Sequence, residues 1–424
     1  MTARVSWQRC DDCSHEISEL DPSPRCPACG GLLAVIHATT ASRQDLADNR
    51  SPSGVWRFGQ IVLPTAVDVA VSYPEGNTPL LWRAALSEWC KVDDVRFKHE
   101  GLNPTGSFKD RGMTVGMTQA KRIGARAVAC ASTGNTSASL AAYAAHAGLP
   151  ALTLVPDGQV ALGKLTQTLA YGAHTLLVDG DFDDCLRLMQ EASAELGIYL
   201  LNSVNPFRLE GQKTIVLELL QQLDWRVPDW IVLPAGNLGN TAAFGKAIDE
   251  ALVHGLINRR PRLAAIQAEG ASPFATAFRQ GFDRLIPIRA ETIATAIKIG
   301  APASYQRAVR AIRANDGVVV TVSDAEILDA KGAIDGTGVG CEPASAATLA
   351  GIRRLRANET IKPGESVVGV LTGHILKDPG TLLQIHRDES IAPAIANRPV
   401  RIGRDVAAIA NVLRDHYRKG DISV

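Results

Sequence analysis

The feature that most constrains this chain is an alternation. From about residue 95 onward, short β-branched runs take turns with longer stretches of helical period. VRFKHE, AVACAS, ALTLV, HTLLVDG, YLLNSV, WIVLPAG, LAAIQAEG, GVVVTVS and SVVGVLTG each read as a buried strand with a helix after it. Parallel strands need crossover helices, so the pattern predicts an α/β fold with helices on both faces of open, twisted parallel sheets. In such sheets ligands gather at the carboxyl ends of strands, where the next helix begins. A length of 424 residues is long for one core and points to two domains or three. The stretch 39–70 has weak periodicity, which places a soft boundary near residue 40.

Charge narrows the possible partners. Lysine plus arginine (44) balances aspartate plus glutamate (44), so nothing calls for a nucleic acid or an anionic membrane, and any bound anion must be held by local geometry. The first twenty residues lack the apolar core of a secretory signal. The apolar run 140–155 is broken by His146, Gly148 and Pro150, so no membrane span is expected. A soluble, cytoplasmic protein is the expectation.

The eight cysteines do not form a disulfide framework. Cys90, Cys130, Cys185 and Cys341 are scattered and read as core residues. The others, Cys10-x2-Cys13 and Cys26-x2-Cys29, are two knuckles with twelve residues between them, and Gly30 permits a tight turn. Four thiolates in this pattern can close a tetrahedron around Zn²⁺. With every position taken by sulfur, such a site would be structural; a degenerate ribbon or a redox pair is the alternative.

Three strand ends carry candidate chemistry. VRFKHE runs through a turn-rich loop into NPTGSFKDRG, where the spacing of Ser107 and Asp110 predicts a capping box and puts Lys109 in the first helical turn. A cation is disfavoured there by the helix dipole, although taken alone Lys109 reads as one more solvated lysine. AVACAS ends at Ser132-Thr133-Gly134-Asn135-Thr136-Ser137, whose hydroxyls, amide and backbone N–H groups suit a carboxylate or a ring oxygen. WIVLPAG ends at Gly236-Asn237-Leu238-Gly239-Asn240, a glycine-rich turn that suits a phosphate but matches neither the P-loop nor the dinucleotide fingerprint. An amine, a partner for a ring oxygen and a phosphate cup, on one α/β scaffold, are the parts a pyridoxal phosphate enzyme needs.

PEGNTPL (74–80), NPTGSFKDRG (103–112), ASTGNTSAS (131–139), NSVNPFRLEGQKT (202–214), PAGNLGN (234–240) and LTGHILKDP (371–379) occur in order. Through them the chain resembles the threonine synthase family, within the tryptophan-synthase-β-like, fold type II pyridoxal phosphate enzymes. The resemblance covers about residues 70–380. The cysteine spacing predicts a zinc-ribbon-like segment at 1–40, a departure from the shorter members of the family that begin with the catalytic core, and the resemblance implies a large domain from 41–100 and 206–424 and a small domain at 101–205 bearing the lysine and the asparagine loop.

By the same resemblance Lys109 forms the Schiff base, Phe108 lies near the cofactor ring, Asn135 meets the ring hydroxyl oxygen, and Gly236, Asn237, Leu238, Gly239 and Asn240 wrap the cofactor phosphate. Thr372 would meet the pyridine nitrogen, and a neutral hydroxyl there implies a mild electron sink. The substrate implied is O-phospho-L-homoserine, with its carboxylate on Thr133, Asn135 and Thr136 and its phosphate on Ser132, Asn202, Ser203 and Arg208. Lys109 would take the Cα proton, phosphate would leave from Cγ, and water would add at Cβ. For Arg208 the plainer expectation is an ion pair with Glu210 or Glu218. His374 receives no chemical step. A homodimer is expected. The alternatives within the superfamily are a cysteate synthase, which takes the same substrate, and a threonine or serine dehydratase.

Overall fold

The computed structural model describes residues 4–47, 51–132, 134–158, 162–180, 182–388 and 395–419. Thirteen strands lie among them, in three sheets. In chain order they are β1 (Ser6–Cys10), β2 (Glu16–Ser18), β3 (Leu33–His37), β4 (Leu80–Leu81), β5 (Val95–His99), β6 (Ala127–Ala131), β7 (Ala151–Pro156), β8 (His174–Val178), β9 (Ile198–Leu200), β10 (Trp230–Pro234), β11 (Arg262–Ala268), β12 (Val318–Val322) and β13 (Val367–Leu371).

The larger sheet runs β12-β11-β10-β13-β5-β4, and the smaller runs β8-β7-β6-β9. All their pairings are parallel except β4 with β5. Every strand of the predicted series is present. The antiparallel edge β4 was not foreseen, because two residues carry no readable period. Strand β10 is buried at all five residues, as a strand covered by helices on both faces must be. The first sheet, β2-β1-β3, is antiparallel and carries both cysteine knuckles at its turns.

That first sheet is braced on the rest of the chain at several points. Arg307 Nε and Arg310 Nη2, from the helix Tyr305–Ala314, donate to the Asp11 carboxylate at 2.5 and 2.8 Å. His37 Nε2 lies 3.1 Å from Glu210, and Gln119 Nε2 donates to the Glu19 carbonyl at 2.7 Å.

A buried ionic knot ties three of the sequence motifs together. Arg111 grips Glu100 through Nε (2.6 Å) and Nη2 (2.8 Å), and Nη2 also reaches Glu218 at 2.8 Å. Lys98 Nζ donates to Glu218 at 2.5 Å, while the backbone N–H groups of Asn77 and Thr78 each donate to the same carboxylate at 2.9 Å. PEGNTPL, the lysine helix Lys109–Arg122 and the helix Pro206–Gln222 thus share one set of charges. Each charge is out of water and needs all its partners.

Residues Met1–Leu382 form one compact unit and Leu383–Val424 a second, which includes the helix Val406–Lys419. Among the described residues no helix is long and apolar enough to cross a membrane.

Candidate active site

Lys109 is the first residue of its helix, but the predicted capping box is absent. Phe108, the residue before it, makes no side-chain cap, and Ser107 Oγ accepts from Lys109 N at 3.4 Å rather than from Asp110 N. The Asp110 carboxylate turns back to the incoming loop, accepting from Thr105 N (2.7 Å) and Thr105 Oγ1 (2.6 Å), and from Ser139 Oγ (2.6 Å). Thr105 offers two donors at once to a carboxylate with no access to water, and that outweighs a cap. Burial still pushes Asp110 up to about 6.

The Lys109 side chain is half-buried, with Nζ 4.3 Å from the Phe108 ring centroid. Burial first, and then the charge of Arg208, bring its amine down to about 7. A large share is therefore neutral and nucleophilic near neutral pH.

Arg208 is 1% exposed. Its Nη1 donates to the Leu201 carbonyl at 3.0 Å, whereas Nε and Nη2 have no partner among the described residues. The plainer expectation, an ion pair with Glu210 or Glu218, fails because both acids are committed elsewhere. Lys213, Lys246 and His37 hold Glu210, and Lys98 and Arg111 hold Glu218. Burial lowers Arg208 to about 10. Two unspent donors on a buried guanidinium are costly until an anion meets them.

The glycine-rich turn joins β10 to the helix Gly239–Val253. Leu238, at φ 64°, precedes that helix without a side-chain cap, so its first N–H groups have no internal acceptor and its positive end faces the turn. The Thr241 hydroxyl, buried in the first turn, is likewise unpartnered among the described residues. A Cβ on Gly236 would lie 2.9 Å from Ile297 Cα, so the opposing loop closes tightly over the turn. The Asn237 side chain points sideways and acts as a tie: Nδ2 donates to Ser203 Oγ at 2.5 Å, and Oδ1 accepts from Ala303 N at 2.6 Å. Asn240 is buried.

Asn135 opens the helix Asn135–Ala147, and Thr372 follows β13. Both donate to one buried acid that the sequence reading missed. Asn135 Nδ2 reaches Glu342 at 3.0 and 3.3 Å, and Thr372 Oγ1 reaches it at 3.3 Å. The Thr372 carbonyl also accepts from Phe108 N at 3.0 Å, which locks the lysine loop to β13. A lone Glu before Pro343 reads in sequence as an ordinary helix start, and only the fold shows what it faces. Asn202 Oδ1 accepts from Ala131 N at 3.3 Å and holds the end of β6. Ser132 Oγ accepts from Gly134 N at 3.3 Å. Ser132 and Thr136 are half-buried. Thr133 lies outside the described residues. His374 Nδ1 accepts from Leu376 N at 3.2 Å, a local capping role.

These residues fit pyridoxal phosphate: an amine near 7, a helix start with unspent donors, and two polar side chains, Asn135 and Thr372, that meet at Glu342.

The four amino-terminal thiols converge as well. Cys10 and Cys29 sulfurs lie 3.5 Å apart, Cys13 and Cys26 sulfurs 3.7 Å apart, and all four fall within 4.8 Å of one another. A tetrahedral Zn²⁺ with ligands at about 2.3 Å sets sulfurs about 3.8 Å apart, so the spacing fits. Gly30 takes φ 75° in the second knuckle, as its place in the turn predicts.

Comparison with known proteins bears on the same region. The family profile described as "Pyridoxal-phosphate dependent enzyme" matches residues 71–373. The threonine synthase of Methanosarcina acetivorans is 45% identical over 390 residues, covering 91% of this chain and 96% of that protein. That of Methanocaldococcus jannaschii is 41% identical over 413 residues, covering 96% and 99%. Among solved structures, threonine synthase from Escherichia coli aligns over 97% of this chain and 100% of its own with a TM-score of 0.70 at 19% identity. A tomato threonine deaminase aligns over 82% and 95% with a TM-score of 0.65 at 20% identity. The fold is therefore shared with deaminases, and it is the sequence matches that discriminate. Because they run through the lysine, asparagine and glycine loops and nearly the whole of both chains, this chain belongs to the threonine synthase family of pyridoxal-phosphate dependent enzymes.

Proposed function

We propose that the protein converts O-phospho-L-homoserine and water to L-threonine and phosphate, by elimination at Cγ and addition at Cβ. The observation that carries this reading is Arg208. Its Nε and Nη2 have no partner among the described residues and its charge depresses the Lys109 amine, which suits it to an anion bound near that lysine. A substrate with both a carboxylate and a phosphate needs such a site, whereas a serine or threonine dehydratase substrate has no phosphate to offer it.

The cofactor, when bound, supplies an electron sink that acidifies the substrate carbon next to the amine. The chain supplies the rest. Gly236, Asn237, Leu238, Gly239 and Asn240 would hold the cofactor phosphate by backbone donors, and Asn135, Thr372 and Phe108 would hold its ring. Lys109 would hold the cofactor through its amine, and its Nζ is the base that takes the Cα proton and later returns it. Arg208 receives the substrate phosphate in a planar fork, helped by Ser132, Asn202 and Ser203, and keeps it oriented for departure. Thr133, Asn135 and Thr136 take the carboxylate. Cys10, Cys13, Cys26 and Cys29 hold a structural Zn²⁺.

The test is direct. Purified protein should show an absorption band at about 410 nm that Lys109→Ala removes, and should release phosphate from phosphohomoserine with threonine as the stoichiometric product. A colourless protein, or a requirement for sulfite with cysteate as product, would overturn the reading.

A further inference from the structure

Gln212 stands one turn after Arg208 on the helix Pro206–Gln222, so the two side chains share a face of it. Only 4% of Gln212 is exposed, and its Oε1 has no partner among the described residues. An amide oxygen buried without a partner is costly, and the place calls for a group to meet it.

The amide lies between two glycines. A Cβ on Gly112, in the lysine helix, would lie 3.1 Å from Gln212 Nε2, and a Cβ on Gly239 would lie 3.5 Å from Oε1. The tip of the side chain is therefore lodged against the start of the helix Gly239–Val253, whose first N–H groups have no internal acceptor. The buried Thr241 hydroxyl, in the first turn of that helix, is unspent as well. Acceptor and donors are neighbours, yet Oε1 takes none of these protons. What belongs there is a third group that meets both.

An amide has a donor end and an acceptor end of nearly the same shape, and half a turn about its last bond exchanges them. A phosphate dianion has no proton to give, so it repels an oxygen at this place and accepts from a nitrogen. The positive end of the helix favours the dianion. We propose that Gln212 is a further cofactor-binding residue: with its nitrogen turned toward Gly239, it donates to the cofactor phosphate and adds a side-chain donor to those of the backbone. The inference rests on the reading of the glycine-rich turn as the phosphate cup. It gives one helix face two tasks a turn apart, with Arg208 serving the substrate phosphate and Gln212 that of the cofactor.

The experiment compares pyridoxal phosphate with pyridoxal, which lacks only the phosphate. Each is titrated into cofactor-free protein and followed by the band at about 410 nm. Gln212→Met removes the donor and stays neutral, while Gln212→Glu keeps the shape and puts an oxygen at both ends. The Kd for pyridoxal phosphate should rise about tenfold or more in Gln212→Met and further in Gln212→Glu, as expected on losing a hydrogen bond to a charged group. The Kd for pyridoxal should change by less than about threefold in both variants, since that bond is absent from its complex.

An equal loss for both forms would mean that Gln212 only packs, and no loss for either would mean that water fills the gap. Each result overturns the proposal. A second measurement needs no variant: by ³¹P NMR the cofactor phosphate of the wild-type holoenzyme should be a dianion at neutral pH. A monoanion, whose P–OH would be met by Oε1, overturns the proposal too. If wild-type protein takes up neither form at Lys109, the reading of the site as a cofactor site fails instead.

Discussion

Lys109 and Arg208 share one buried neighbourhood, and Arg208 makes the charge of Lys109 more costly. Its ordinary value is 10.5, and in the folded chain burial and Arg208 hold the Lys109 amine near 7. Since the folded value is the lower one, the amine is charged below about 7 and neutral above it. Capture of pyridoxal phosphate by the cofactor-free protein should therefore speed up as pH rises through that value. In Arg208→Gln the like charge is gone, and the midpoint should move upward, though burial keeps it below that of a free lysine. Stopped-flow absorbance at several pH values measures both. A midpoint that stays in place, or one that moves down, would remove Arg208 from the neighbourhood of the amine. The same pair shows what sequence can reveal about single residues. Lys109 and Arg208 stand out because their motifs do. Glu342 does not, because its partners Asn135 and Thr372 lie 207 and 30 positions away along the chain.

Two helices set the distance between those cations. The helix Lys109–Arg122 and the helix Pro206–Gln222 cross with almost no space between their backbones. A Cβ on Gly211 would lie 1.7 Å from the Arg111 carbonyl oxygen, and one on Gly112 would lie 2.8 Å from that of Arg208. Gly211→Ala must push the helices apart, and overpacking of this kind costs about 1–3 kcal/mol or more. Denaturant unfolding should show that loss, together with a weakened Arg208 influence on Lys109. An unchanged midpoint would mean the helices can slide past each other freely. The existence of these helices and of the strands before them is legible in the sequence, since buried parallel strands are long apolar runs with helical stretches between. The ends are less legible. The S-x-x-D spacing at Ser107 predicts a cap, but Thr105 and Ser139 compete for the Asp110 carboxylate, and Ser139 comes from a different helix. Local pattern cannot weigh a donor that the fold delivers from elsewhere.

For the molecule, the amino-terminal sheet is more than an appendage. Asp11 follows directly on Cys10, and it holds Arg307 and Arg310 in the helix Tyr305–Ala314. Just ahead of that helix, Ala303 N ties Asn237 of the glycine-rich turn. One metal ion per chain should be found by elemental analysis of protein purified without chelator. Stripping it, or exchanging Cys29→Ser, should lower the melting temperature by several degrees, since a structural zinc contributes folding free energy directly. Protein that contains no metal and melts unchanged after chelation would sink the idea. The cysteine spacing makes the site legible, but the brace from Asp11 to Arg307 joins positions 296 residues apart and is visible only when folded.

The ionic knot of Arg111, Glu100, Glu218 and Lys98 also says how such a protein can change its substrate. Arg208, with donors left over, can be replaced alone by a residue suited to a different leaving group. Arg111, locked to Glu100 and Glu218, cannot be touched without stranding a charge in the interior. Laboratory evolution toward a new specificity should therefore accumulate changes at Arg208 and its loop while the knot stays intact, or loses all its members in one step.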